Sequence, residues 1–437
     1  MTRTGGGPIG RLEANVRIVA IAKLANVALA MLWGFVVTFV FVRLLPLEEF
    51  RAFLLLVAFA NFTVSADFGF SGILYARLRR FRLGGEDGSF RPTEIAILFA
   101  FMGVVVLVGA ILIAGGIASG HIATHYPGLF MAFYLLTVTN IFGLLTKRAL
   151  AALDHNLLWE LVDMVRRVAT IALLIAALAG LPILLSVWMQ VALASMALLF
   201  GLMVVHRDAG MGAGDWLLRG GGFAVLWQSS MRDMGATMLL TLSDVAAYNA
   251  PYFGLAWATS DPRPLLLFDF VFKISRALTA GIRAITEAML PRLTAAFHGG
   301  RTERARALVG RLRLVALGAA AVLGGGLMVA GPAFSRLLFA GKAVLTLTEL
   351  GLLALLLLGL AMLCVSTYVH NGVGRFGALL APSFAFLALS ILSVPLGAWI
   401  AQATGEPFAL CFLALYALAH GLLAVRHGAM LRGLLRA

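Results

Sequence analysis

The sequence predicts an all-α integral membrane protein of about twelve transmembrane helices arranged as two six-helix lobes. Three observations carry this reading. Of 437 residues, 61% are hydrophobic and only 12% charged, whereas soluble domains carry about one quarter charged residues. The apolar residues gather in windows long enough, at about 1.5 Å rise per residue, to cross a hydrocarbon layer roughly 30 Å thick. The 34 lysines and arginines collect mainly in alternate loops, the asymmetry that orients membrane helices.

The first run, 18–42, follows Arg3, Arg11 and Arg17. Lys23 interrupts it, and it continues too far for the apolar core of a cleaved signal peptide, so a retained helix is expected. The second run, 51–75, begins after LLPLEE and ends at Arg77, Arg79, Arg80 and Arg82. The third and fourth, 94–118 and 128–151, flank GHIATHYPG. His121 and His125 in that loop have no third ligand nearby and read as solvated residues. The fifth, 166–181, is separated from the sixth, 183–205, only by Leu181-Pro182, a helix stop in a very short turn. Segment 147–167 is amphipathic and basic at both ends, so it either lies along the membrane surface or extends the fourth and fifth helices. Gly-rich 206–222 reads as a cytoplasmic linker between lobes 1–205 and 223–437.

The seventh and eighth runs, 231–257 and 264–290, are joined by TSDPRP. The ninth, 314–338, follows a long basic connection, 291–313, that occupies the same place after the eighth run as 76–93 does after the second. This correspondence suggests a repeat related by topology. The tenth to twelfth, 346–369, 377–400 and 408–425, are joined by NGVGRFG and AQATGEP. Cys364 and Cys411 lie inside apolar runs and read as small core residues.

The outer loops hold only Arg43, Arg51, Arg263, Arg336 and Lys342, so both termini are expected on the cytoplasmic side. The net charge of +14 does not indicate nucleic acid, because the basic residues sit in short loops between apolar runs and form no separate domain.

The eighth run carries the most informative residues. Asp269, Lys273, Arg276, Arg283 and Glu287 fall within about 40° of one line along the helix. That line is about 27 Å long, close to the thickness of the bilayer core. Charges there face a bundle interior or a wet cavity. Two arrangements are open: a ladder of i,i+4 ion pairs, Asp269–Lys273 and Arg283–Glu287, or one wall of a polar path. Arg276 has no acid four residues away, and apolar residues would hold a bundle as well as ion pairs do. This favours a cationic path for an anionic or sugar-bearing cargo, with Arg276 as its best anion ligand, because a guanidinium binds two oxygens at once.

The seventh run repeats the pattern with Asp233, Thr237, Thr241, Asp244 and Tyr248 on one face. The alternative, in which Thr237 and Thr241 bond their own helix and Asp233 is interfacial, leaves mid-span Asp244 unexplained. Pro251 is expected to break or kink the outer end and free backbone carbonyls. In the first run Lys23 and Asn26 stand about one turn apart, with Arg17 at the inner end. Arg17 serves equally as a topology anchor, and Lys23 either snorkels or faces a cavity. Asp67, deep in the second run, needs a partner, and Lys23 is the expected one.

The phosphate-loop pattern G-x-x-x-x-G-K-[ST] is absent, as are G-x-S-x-G, H-E-x-x-H and C-x-x-C. The outer loops are all short, whereas membrane glycan polymerases rely on a large outer loop. Transport is therefore expected, and not enzymatic chemistry.

Residues 41–80, FVRLLPLEEFRAFLLLVAFANFTVSADFGFSGILYARLRR, carry Glu49-Phe50, Asp67-Phe68-Gly69 and Arg77. Residues 272–314, FKISRALTAGIRAITEAMLPRLTAAFHGGRTERARALVGRLRL, carry a helix-ending Pro291-Arg292-Leu293 and a basic arm. Together with the twelve-span plan, these stretches resemble the polysaccharide transporter (Wzx-like) branch of the multidrug/oligosaccharidyl-lipid/polysaccharide (MOP) flippase superfamily. The resemblance implies a MATE-like fold, with two lobes enclosing a V-shaped cavity, and a flippase for undecaprenyl-diphosphate-linked oligosaccharide working by alternating access towards the periplasmic leaflet. It implies substrate binding by Arg17, Lys23, Asn26, Lys273, Arg276 and Arg283. It also implies coupling to H+ or Na+ through Asp67, Asp244, Asp269 or Glu287, with no cofactor and no resident metal. Membrane lipids and the polysaccharide polymerase and chain-length machinery are the implied partners. The family's glycine after Glu-Phe is Arg51 here, and the arms carry an excess of arginine. A drug or cation antiporter of the same superfamily and an integral-membrane glycan polymerase are the alternatives. The first would want an acidic cavity.

Overall fold

A computed structural model describes Glu13 and residues 15–65, 70–82, 90–218 and 222–435; of residues 16, 17, 65, 222–234, 236, 237, 288, 291 and 298 it describes the backbone alone. All regular structure among the described residues is helical. The first seven helices are α1 (Val16–Leu44), α2 (Leu47–Ser65), α3 (Phe70–Arg82), α4 (Thr93–Ala118), α5 (Pro127–Ala152), α6 (Asn156–Leu178) and α7 (Ile183–Asp208). A single turn, α8 (Ala213–Trp216), precedes α9 (Gly222–Ala258), α10 (Arg263–His298), α11 (Thr302–Leu338), α12 (Leu347–Gly372), α13 (Gly377–Thr404) and α14 (Phe408–Leu434).

Eight of these, α1, α4, α5, α7 and α11 to α14, are long and apolar enough to cross a membrane. Large apolar side chains stand exposed along them, such as Val104, Leu107 and Ile111 on α4. Such stripes are a liability in water and are the surface that lipid requires. The chain is a multi-pass membrane protein.

Two helices differ from the apolar runs. The run 51–75 becomes α2 and α3, which flank 66–69, outside the described residues. The fifth helix starts at Asn156, well before residue 166. Its first turns carry Glu160 and Asp163, which hydropathy counts against a span but which the fold buries. Segment 147–167 therefore extends the fourth and fifth predicted helices; it does not lie along the surface.

Contacts group the chain into two compact units, Met1–Val40 with Leu56–Thr241, and Phe41–Leu55 with Leu242–Ala437. In the first unit, α5 packs on α3, α4 and α7, burying Ile141, Leu145 and Ala149 against Leu78, Ile95, Met102 and Trp159. Gly201 on α7 permits this approach, since a Cβ there would lie 2.5 Å from the Thr146 methyl and 2.7 Å from the Trp159 ring. Arg77 grips buried Glu94 with two hydrogen bonds of 2.7 and 2.8 Å. Asp215 at α8 accepts a 2.6 Å hydrogen bond from Thr93, and Trp216 lies edge-on to Phe99. These contacts bind the glycine-rich segment to the start of α4.

In the second unit, α12 is the most deeply embedded helix, with Leu350, Leu353, Leu356 and Leu357 fully buried. It starts at a capping box, in which Thr346 Oγ1 accepts from the Glu349 N–H and Glu349 accepts from the Thr346 N–H. Arg263 completes it with a 2.8 Å ion pair to Glu349. Cations close three helix C-termini, where unpaired carbonyls and the helix dipole favour positive charge. Arg43 donates to the carbonyls of Leu337 and Leu338, Lys342 to that of Val42 at 2.6 Å, and Arg51 to those of Ala256, Thr259 and Ser260. Arg51, where the resemblance leads one to expect glycine, thus caps α9.

Candidate functional site

The stripe on α10 is built as the spacing requires, but its charges are not equivalent. Asp269 is 1% exposed, pairs with Lys273 one turn on, and accepts a 3.0 Å hydrogen bond from the Tyr252 hydroxyl on α9. Arg283 and Glu287 form a 2.8 Å pair at an exposed position. Both rungs of the ladder therefore exist, and each neutralises itself. The net +1 of the five residues falls on Arg276.

Arg276 is exposed and forms no hydrogen bond or ion pair with any described residue; its guanidinium lies 5.4 Å from the centre of the Phe272 ring. Asp244 on α9 is within its electrostatic reach, and that carboxylate takes a hydrogen bond from Ser383 on α13. A guanidinium without an ion pair can hold an anion through two oxygens at once.

Pro251 does not break its helix, for α9 continues through it to Ala258. Proline removes the bond to the carbonyl four residues earlier, that of Ala247. The Ser390 hydroxyl on α13 donates to this carbonyl, so the freed acceptor is satisfied locally and is not left for a cargo. Cys364 and Cys411 are buried, and the Cys364 thiol lies 3.6 Å from the Thr279 hydroxyl.

The first unit contains a second polar cluster that the sequence reading did not single out. Asn26 on α1 donates 2.7 and 2.9 Å hydrogen bonds to Glu160 and Asp163 on α6. Lys147 on α5 pairs with Glu160 at 2.7 Å, while Arg166 and Arg167 pair with Asp163. Asn26 thus holds carboxylates and is turned away from the role of a free anion ligand. The signal available in the sequence was WELVDMVRR, residues 159–167, in which two acids and two arginines share a helix face. Lys23 is exposed and has no hydrogen bond or ion pair to a described residue. Arg17 lies on α1, but its side chain is outside the described residues, as are those of Asp67, Asp233 and Thr237 and the Lys23–Asp67 pair.

No protein-family model matches the sequence, and no curated protein is significantly similar to it. Solved structures resemble the fold along nearly its whole length. An inward-facing multidrug resistance MATE family transporter of the MOP superfamily shares 13% identity over 95% of this chain and 99% of its own, with a TM-score of 0.69. A MOP superfamily transporter from Pyrococcus furiosus, described by the reverse polarity of its binding pocket, shares 12% identity over 96% and 95%, with a TM-score of 0.67. A mutant of a Vibrio cholerae MATE transporter shares 14% identity over 98% and 97%, with a TM-score of 0.65. The fold is that of the MATE transporters of the MOP superfamily.

Proposed function

We propose that the protein is a flippase that carries polyprenyl-diphosphate-linked oligosaccharide from the cytoplasmic to the periplasmic leaflet of the bacterial inner membrane. The observation that carries this reading is Arg276, whose guanidinium forms no ion pair with a described residue while its neighbours on α10 cancel one another. A diphosphate satisfies such a cation bidentately. The prenyl chain would stay in lipid. Asp244 is the candidate coupling carboxylate. Among the described candidates it alone lacks an ion pair, since Asp269 and Glu287 are held by Lys273 and Arg283. Protonation or Na+ binding at Asp244 would change the charge that Arg276 faces and so link an ion gradient to release of the anion.

A drug or small-molecule antiporter is the second reading, favoured by the fold shared with a multidrug resistance transporter. The Pyrococcus furiosus protein, with its reverse polarity of binding pocket, supports the view that this fold serves cargoes of different charge. The deciding experiment measures uptake into proteoliposomes of a labelled prenyl-diphosphate oligosaccharide and, in parallel, of a cationic dye, with and without H+ or Na+ gradients. The flippase reading expects glycolipid transport that Arg276→Ala abolishes in folded protein. Dye transport without glycolipid transport sinks it in favour of the antiporter.

A further inference from the structure

The arginine excess of the basic arm has a structural counterpart away from α10. Helices α11 and α14 both pack on α12, and at their arginine-rich ends a cavity of about 460 Å³ opens, lined by Arg306, Val309, Gly310, Arg313, Arg432 and Leu435. Arg306 donates a 3.3 Å hydrogen bond to the Leu435 carbonyl, which ties the two helix ends together. Among the described residues no carboxylate lines the cavity, and none of its three arginines forms an ion pair. Three guanidinium groups around one space repel one another until an anion enters. Gly310 keeps the space open, since a Cβ there would meet nothing within 4 Å.

The chemistry changes sharply one turn away. Leu314 stands a helical turn above Gly310 and is 74% exposed; Val425, two turns from Arg432, is 72% exposed. Leu422, 55% exposed, continues the apolar face of α14. Arginines at one level and bare apolar faces above them match an amphiphile with an anionic head and hydrocarbon tails.

We propose that this cavity binds the phosphate headgroup of an anionic membrane phospholipid, whose acyl chains lie along the exposed faces of α11 and α14. The arginine forks supply bidentate contacts to phosphate oxygens. A free phosphate shares the headgroup chemistry but has no use for the apolar faces. No residue of the lining lies on α10, so the site stands or falls separately from the transport reading.

The test is equilibrium binding by native mass spectrometry of the full chain in detergent, with phosphatidylglycerol, phosphatidylcholine and glycerol 3-phosphate as probes. Saturable binding of phosphatidylglycerol is expected, weakened on the order of 100-fold in the triple variant Arg306→Gln, Arg313→Gln, Arg432→Gln. Gly310→Leu keeps every arginine and suits a helix, yet fills the cavity, so it too must lose the lipid. This second variant decides the matter if the triple variant does not fold. The charge-matched triple Arg304→Gln, Arg311→Gln, Arg426→Gln should bind as wild type. Equal weakening in that control, or full binding by Gly310→Leu, overturns the proposal in favour of diffuse surface charge. Glycerol 3-phosphate bound as tightly as the lipid overturns it in favour of a soluble anion. Phosphatidylcholine bound equally well shows that the arginines select nothing.

Discussion

Lys273 and Arg276 lie three residues apart on one helix face, yet removing either charge should have opposite consequences. The Lys273 side chain is 15% exposed and its partner Asp269 1% exposed. Lys273→Ala takes the ammonium away from the buried Asp269 carboxylate, which keeps its 3.0 Å hydrogen bond from the Tyr252 hydroxyl. Breaking a buried pair by removing one member costs about 3–5 kcal/mol, because a buried charge remains uncompensated. Arg276 has no such partner and stands exposed, so Arg276→Ala should change stability by no more than about 0.5 kcal/mol. Its loss should instead weaken an anionic cargo by one charge-assisted contact, about 1.5–3 kcal/mol, or roughly 10- to 150-fold. Thermal unfolding in detergent, run beside glycolipid binding, separates the two. Lys273→Ala should melt early, and the double variant Lys273→Leu, Asp269→Leu should recover most of the loss, as expected when an ion pair gives way to well-packed apolar groups. The reasoning fails if Lys273→Ala melts like wild type while binding is lost, or if Arg276→Ala unfolds early.

The remaining predictions concern the scaffold. Asp163→Ala should destabilise the first unit by about 3–5 kcal/mol, because Arg166 and Arg167 lose their partner; Asp163→Asn should cost less, and thermal melts compare the two. Gly201→Ala places a carbon 2.5 Å from the Thr146 methyl and should cost about 1–3 kcal/mol. Thr146→Ser in the same chain should return part of that loss. A third concerns acid. Hydrogen bonds from the Thr93 hydroxyl and the Gly212 N–H hold the Asp215 carboxyl below its ordinary range. A lowered folded pKa contributes stability that is present above the unfolded value of about 3.9 and lost as pH falls through the folded one. Hydrogen exchange across 205–217, corrected for intrinsic rate, should therefore be steady from about pH 7 to pH 5 and accelerate only below about pH 4. Loosening already at pH 5 contradicts this assignment.

What the sequence revealed and what it hid follow from the range of the interactions. The α10 stripe was legible because its partners are four residues apart and helical geometry alone decides who meets whom. That Arg276 would be left over was legible for the same reason. The cluster around Asn26 was not, because Asn26 and Glu160 are separated by 134 residues. A hydropathy window, moreover, counts Glu160, Asp163, Arg166 and Arg167 as reasons to end a span. Their mutual pairing, invisible to a sum over single residues, is what lets α6 start ten residues early. The fate of the Pro251 carbonyl was equally hidden. Proline tells that an acceptor is freed, but only the fold shows Ser390, 143 residues on from Ala247, arriving to take it. Arg51 looked like a lapse from a family pattern and is a cap whose recipients lie more than 200 residues away.

The tip of the first hairpin has a consequence for how this protein can be taken apart. Residues 41–55 belong with the C-terminal unit. Arg43, Arg51 and the Val42 carbonyl all find their partners beyond residue 255. A polypeptide cut in the glycine-rich segment near 220 would therefore not yield two self-sufficient modules. Each product would carry open helix ends whose complement had been left on the other gene fragment. Half-proteins exchanged between relatives would meet the same obstacle, unless the hairpin tip travelled with the second half. The compact units of this chain therefore do not divide at its glycine-rich segment, and the tip of the first hairpin counts with the second unit.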